Sequence, residues 1–405
     1  MIHFSKPYVV EVANKAILKC EVSIDNKKDT IWFSVDQKYG QYLCYERSDA
    51  FVIAVLNYAM RNNHDIMCDV PISEDLYYNI DKYLIDAIVR YNPSWYRPVI
   101  IADVDFEPLP CAGAVGTGIS CGVDSLHALA NQTALKFKRH NITHLTFNNV
   151  GSHGEGERAV NLYNARLERP REFAAEYGSE FVASNSNLQD VVEQSHFKTH
   201  TYSSLFAVYC LQKLYSVYYY ASGGYKYDEF TLVDAPMSCS GTYEMLSLPF
   251  FSTKNMRIYS EGADMTRMEK LRRIVAYSPS YKYLNVCLHD GDNCNVCEKC
   301  VRTLLGIDAL GALDKFKNVF DIDYYRKHKS WYLEEMLKRM FDGRHDYFEI
   351  YPYFKNEISI WMRIQVMPYW ITNFVRRIVP INSKLYKVLR GIKDRKKVYT
   401  NKAEN

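Results

Sequence analysis

The chain is 405 residues long, 48% hydrophobic and 24% charged, with 13 Pro and 18 Gly. This excludes a collagen-like, low-complexity or wholly disordered protein, because there is ample apolar material for a packed core. The net charge of +3 is unevenly spread: Ile371–Asn405 holds ten Lys/Arg and two Asp/Glu, a balance of +8, so the residues before it carry −5.

No apolar run approaches the ~20 residues of a membrane span. Glu11, Lys15, Lys19 and Glu21 interrupt the basic-then-apolar order of a signal peptide. A cytoplasmic protein is expected. The eleven cysteines agree with a reducing compartment, since seven are scattered singly and four crowd together.

In chain order, Tyr8–Val12, Ala16–Val22 and Thr30–Val35 are alternating, β-branched runs that predict strands. Ser48–Asn62 and Ser73–Tyr91 carry apolar residues at helical spacing, and Pro98–Val104 reads as a strand. Pro108 and Pro110 mark a boundary, which makes residues 1–107 an N-terminal α+β accessory domain. Strands at Ala112–Ile119, Asn141–Phe147, Glu180–Ala183 and Glu229–Val233 then alternate with helices at Asp124–Lys138, Glu157–Tyr177 and Tyr202–Tyr218. That rhythm predicts an α/β domain over 108–319 with a mostly parallel sheet covered on both faces. A helix is expected at Val301–Ala312. Residues 320–405 read as a helical extension ending in a basic tail, which Pro380 divides into two short helices.

The most informative stretch is Thr117-Gly118-Ile119-Ser120-Cys121-Gly122-Val123-Asp124-Ser125. An apolar strand stops, small residues turn, and a helix begins. Backbone N–H groups, two hydroxyls and the positive end of a helix dipole together suit a pyrophosphate. No Gly-Lys-Ser/Thr closes the turn, so it is not a Walker loop. Gly116, Gly118 and Gly122 imitate a dinucleotide fingerprint, but the second strand ends Phe147-Asn148-Asn149 without the acid that grips a ribose. Ser and Asp at a helix start also suit ordinary capping. Cys121, at a helix N-terminus, is expected to have a lowered thiol pKa.

Cys287, Cys294, Cys297 and Cys300 fall within fourteen residues and contain two C-x-x-C steps. Four thiolates at this spacing close around one Zn²⁺ as a structural site; an iron–sulfur cluster is the competing occupant.

Ser120-x-Gly122-Val123-Asp124-Ser125 resembles the SGGxDS loop of the PP-loop ATP pyrophosphatases, with Cys121 in place of the first glycine. The cysteine run Cys294-Asn-Val-Cys297-Glu-Lys-Cys300-Val-Arg302-Thr303 is similar to the zinc segment of one branch, the 7-cyano-7-deazaguanine synthases. Softer similarities join it: Asn148–His153 and Ser240–Glu244 to that branch's substrate loops, and Thr266-Arg267-Met268-Glu269 to its Ser-Lys-x-Glu helix start. Together they cover about residues 112–315. The resemblance implies a Rossmann-like fold of the adenine nucleotide alpha hydrolase type with a four-cysteine zinc knuckle at 287–300. It implies an ATP-dependent C–N ligase that adenylates a 7-deazaguanine-type carboxylate, releases pyrophosphate and AMP, and passes the acyl group to ammonia or an amine.

Carried over by position, Asp124, Ser125 and Arg267 are the catalytic candidates. Ser120, Cys121, Gly122, Val123, Asp124, Ser125 and Phe147 are the ATP-binding ones, and Cys287, Cys294, Cys297 and Cys300 hold structural Zn²⁺. Mg²⁺ accompanies the ATP. Other readings stay open: transfer of the deazaguanine-type group to a partner protein, as in relatives found beside antiviral defence genes; a tRNA-modifying PP-loop enzyme; and a non-catalytic zinc-knuckle module that binds nucleic acid. The extra segments serve either to grip such a partner or to stabilise a homodimer. The basic tail is expected to pack its apolar side on the chain's own helices near Ile360–Met367, in preference to a membrane or nucleic acid.

Overall fold

The computed structural model describes residues 1–378, apart from Ala134, Gly224, Tyr225, Pro236, Met237, Leu288 and Asp290. The chain divides into two compact units, Met1–Asn293 and a second that begins at Cys294. Among the described residues no helix is long and apolar enough to cross a membrane.

The first unit opens with β1 (Ile2–Phe4), β2 (Tyr8–Val12), β3 (Lys15–Ile24) and β4 (Lys27–Asp36). Next come α1 (Asp49–Asn62), β5 (Ile66–Cys68), β6 (Ile72–Ser73), α2 (Glu74–Asn79), α3 (Ile85–Tyr91), β7 (Ile100–Ile101) and β8 (Val104–Asp105). The alternating half follows: β9 (Ala114–Gly118), α4 (Val123–Gln132), β10 (His144–Asn149), α5 (Gly156–Glu176) and β11 (Glu180–Ser186). It continues through α6 (Leu188–Val191), α7 (His196–Cys210), β12 (Tyr215–Ala221), α8 (Glu244–Phe250), β13 (Arg257–Glu261), α9 (Arg267–Val275) and α10 (Ser280–Tyr283).

One mixed, mostly parallel sheet runs in the order β13-β12-β9-β10-β11-β4-β3-β1-β5-β7, with β2 on the flank of β3 and β6 paired separately to β8. From β13 to β11 every neighbour is parallel. β4 then joins β11 antiparallel through Ser184↔Val35 to Ser186↔Phe33. The sheet therefore continues across Pro108–Pro110. Packing does the same: Phe206 of α7 sits 5.8 Å from Phe33 and 5.9 Å from Phe51 of α1, all three buried.

Four elements differ from the sequence reading. The helix expected at Asp124–Lys138 ends at Gln132, and the strand expected at Pro98–Val104 is two short strands, β7 and β8, in separate sheets. The apolar run Tyr202–Tyr218 holds the end of α7 and the start of β12, because a short buried strand and a buried helix carry the same unbroken apolar signal. Phe230–Val233 is irregular, following a 3-10 turn at Tyr227–Glu229. Gly116 in β9 has a packing reason: a Cβ there would meet the Tyr215 ring at 2.7 Å.

The second unit is helical: α11 (Glu298–Ala309), α12 (Ile322–Lys327), α13 (Lys329–Phe341), α14 (His345–Phe354) and α15 (Ile360–Ile378). Its core holds Leu304, Phe316, Tyr325, Tyr332, Met336 and Ile350. Lys329 bridges Asp308 at 2.9 Å and Glu357 at 2.8 Å. The break expected at Pro380, and the basic tail after it, lie outside the described residues.

Candidate functional site

Strand order reverses beside β9: β10 and β11 extend the sheet on one side, β12 and β13 on the other. In open α/β sheets ligands bind outside the carboxyl ends of the strands at such a point, here the ends of β9 and β12. The Ser120–Ser125 turn occupies this position.

Its conformation follows from a few local contacts. Cys121 adopts φ +57° in the left-handed region, and Gly122 is the N-cap of α4, so no side chain caps the helix. Ordinary Ser or Asp capping is thus not what these residues do. The Ser120 N–H donates to Ser125 Oγ (3.3 Å), the Gly122 N–H to Ser120 Oγ (3.3 Å), and Ser125 Oγ to the Gly122 carbonyl (3.1 Å). Behind the turn, the Asn285 N–H donates to the Cys121 carbonyl at 2.8 Å. Ser120 is exposed, while Cys121, Val123 and Ser125 are buried.

Asp124 faces two cations. Its carboxylate accepts from Arg267 Nη1 at 2.9 Å and from Lys270 Nζ at 3.2 Å. Burial alone would raise this carboxyl's pKa; Arg267 and Lys270 overcome that and hold it well below the usual carboxylate range. Lys270 is 1% exposed and also donates to the Ser222 carbonyl at 2.9 Å, just beyond β12. Arg267 is placed by a capping box at the start of α9, in which Thr266 Oγ1 receives the Glu269 N–H and Glu269 returns a bond to the Thr266 N–H (2.7 Å). Gly262 is required beside it: with φ +81°, a Cβ there would lie 2.9 Å from both His127 and Lys270. Burial, then Lys270, lowers the pKa of His127 to about 4.

The structure brings Asp124, Ser125 and Arg267 together with Ser120, Cys121, Gly122 and Val123. Phe147 lies in β10, buried against Tyr163 and His153 with ring centroids at 5.3 Å. The Cys121 expectation is overturned: burial pushes its thiol pKa up to about 12, and Arg169 pulls the other way without prevailing. A helix end acts on a thiol that keeps some water, and this one is enclosed.

Sequence reasoning missed Lys270 and His127, and it met Glu244 only as the end of the Ser240–Glu244 loop similarity. Lys270 sits one helical turn after Arg267 on the face that carries Leu271 and Ile274, and a cation on an apolar face is the signal that could have found it. Glu244 is fully buried, accepts from Ser260 Oγ at 2.8 Å, and is pushed upward in pKa by burial.

The sulfurs of Cys287, Cys294, Cys297 and Cys300 all lie within 4.8 Å of one another. In a tetrahedral Zn–thiolate site the ~2.3 Å bonds put sulfurs about 3.8 Å apart, so this group can hold a metal ion such as Zn²⁺. No family model matches the chain, nor does any curated protein or solved structure.

Proposed function

We propose that the chain is a cytoplasmic, ATP-dependent ligase of the PP-loop type. It adenylates a 7-deazaguanine-type carboxylate with release of pyrophosphate, then passes the acyl group to ammonia or an amine as AMP leaves. The observation that carries this reading is the turn at Ser120–Ser125, a helix start without a side-chain cap at the point where the strand order reverses, with Arg267 and Lys270 beside it. The strand order on both sides of β9 supports a Rossmann-like fold of the adenine nucleotide alpha hydrolase type. Backbone N–H groups and paired cations offset charge as a carboxylate attacks an α-phosphate, which is the main electrostatic demand of the reaction.

Both Asp124 oxygens are engaged by cations. Asp124 therefore suits the role of holding Arg267 and Lys270 in place, and not that of a direct Mg²⁺ ligand. Mg²⁺ fits as a companion of the triphosphate, where it supplies further charge neutralisation. Zn²⁺ in the four-cysteine group serves structure, since four thiolates leave no open coordination position.

An amine on a partner protein is the second reading for the acceptor. An open pocket lined in part by Asn57, Arg61 and Trp95 supports it, since these come from the segment that lies outside the family resemblance. The mutual closeness of the four thiols speaks against the catalytic cysteine pair of a tRNA thiolase. The test is pyrophosphate release from ATP on addition of 7-carboxy-7-deazaguanine. Release should fall ~10²–10³-fold in Ser125→Ala; ADP and phosphate as sole products would reject the assignment.

A further inference from the structure

His200 and Cys239 form a second cluster near the carboxyl end of β12. α7 is kinked at Thr199, whose φ of −125° and ψ of 15° lie off helical values, and His200 follows directly. Its Nδ1 meets Tyr220 Oη at 2.7 Å and its Nε2 meets Cys239 Sγ at 3.4 Å. With Nδ1–H donating to Tyr220, the Nε2 lone pair faces the thiol. This is the nucleophile–base–third-group arrangement of covalent catalysis. Burial, then the neighbouring His196, pushes the His200 pKa down to about 4, so the imidazole is neutral at pH 7 with a lone pair free for the thiol proton as the sulfur attacks.

Two further observations point to an occupant. Cys239, 6% exposed, lines a shallow, open pocket together with Asn57, Arg61, Trp95, Lys198 and Asp234. Asn57 is 1% exposed, and its Oδ1 has no hydrogen-bond partner while its Nδ2 donates to Tyr243 Oη. A buried acceptor left unmatched is costly unless something polar completes it. The cluster also adjoins the Asp124 site: Tyr220 precedes Ser222, the carbonyl partner of Lys270, by two residues, about 7 Å of extended chain.

We propose that Cys239 takes the acyl group from the adenylate as a thioester, with His200 as the base, before an amine in the pocket receives it. The step rests on the adenylation reading above. The sulfur attacks the acyl carbon, the C–S bond forms, the C–O bond to phosphate breaks, and AMP departs with the electron pair while the thiol proton moves to His200 Nε2. The amine then attacks the thioester carbon, forming C–N and breaking C–S. The imidazolium returns its proton to the departing sulfur, and the neutral ring accepts the surplus proton of the new ammonium. No oxidant or reductant is needed.

Two measurements on the full chain decide this. In the first, iodoacetamide at pH 7 is followed by peptide mapping. Cys239, 6% exposed, should label about tenfold faster in the wild type than in His200→Gln. Equal labelling in the two overturns the nucleophile, whatever becomes of the ATP chemistry. In the second, ATP and ¹⁴C-labelled 7-carboxy-7-deazaguanine are added without amine, and pyrophosphate release is read in parallel. Hydroxylamine-labile label on the Cys239 peptide is expected. Pyrophosphate release without that label sinks the thioester alone; absence of release indicts the adenylation reading instead.

Discussion

Two clusters share one edge of the sheet and are built in opposite ways. Around Asp124 everything is ionised: a carboxylate, a guanidinium and an ammonium lie within 3.2 Å contacts, and Lys270 is almost fully enclosed. Around His200 the direct contacts are hydrogen bonds to a phenol and a thiol, the ion pairs of Asp234 with Arg61 and Lys198 line the same pocket, and a buried amide oxygen is left over. Ion pairs hold cations ready for a charged ligand without exposing them to collapse or solvent. Neutral hydrogen-bonded groups suit a nucleophile that must shed and regain a proton. The difference separates binding of phosphate charge from chemistry at an acyl carbon.

The largest stability effect should come from breaking the ionic side. Lys270→Met removes a buried ammonium from the partly exposed Asp124 carboxylate and from the Ser222 carbonyl, and should lower unfolding free energy by about 3 kcal/mol, measured by urea denaturation. Combining it with Asp124→Asn should recover part of that loss, because the unmatched charge disappears too. A loss as large in the double variant would mean that shape, not charge, governs the cluster.

Gly262→Ala comes next, with an expected cost of about 2 kcal/mol from positive φ and the approach to His127 and Lys270. The comparison is sharpened by Cys121→Gly. Glycine relieves the left-handed backbone, worth about 1 kcal/mol, but forfeits a buried sulfur, so the net change should stay within about 1 kcal/mol in a thermal melt.

Acid should act mainly through the histidines. His127, His153, His196 and His200 all have pKa values pushed down to about 4, first by burial. The unfolded chain binds their protons from about pH 6.5 downward and the folded chain does not, so their contribution to stability is complete above about 6.5 and declines as pH falls toward 4. Glu244 and Glu261, raised in pKa by burial, work against this because the folded chain keeps their protons longer. A melting temperature that drops between about pH 6.5 and 4.5, and drops less in His127→Asn, is the expected result.

The smallest effect on ATP chemistry should come from the metal group. One Zn²⁺ per chain is expected by elemental analysis, and Cys297→Ser should reduce solubility and melting temperature before it weakens ATP binding. Visible absorption with iron in its place would assign a cluster to these thiols.

How far the sequence could be read depended on range. The Ser120–Ser125 turn and the cysteine group are local, so spacing exposed them, whereas Arg267 entered only through the resemblance of Thr266–Glu269 to the family's helix start. Lys270 and His127, and the buried role of Glu244, were invisible because their meaning comes from α4, α8 and α9 meeting near the end of β12. The same limit explains β4 joining β11: strand pairing between Val35 and Ser184, so far apart in the chain, leaves no periodic trace. Cys121 was read from its helix position and corrected by enclosure, while Cys239 looked like one scattered thiol among seven until α7 brought His200 beside it.

Transfer of oxygen tests adenylation most directly. The chain is supplied with ATP, an amine and 7-carboxy-7-deazaguanine labelled with ¹⁸O in its carboxylate, and the nucleotide product is weighed by mass spectrometry. Attack of the carboxylate on the α-phosphate predicts AMP carrying one ¹⁸O. ADP, or AMP without the label, would contradict it.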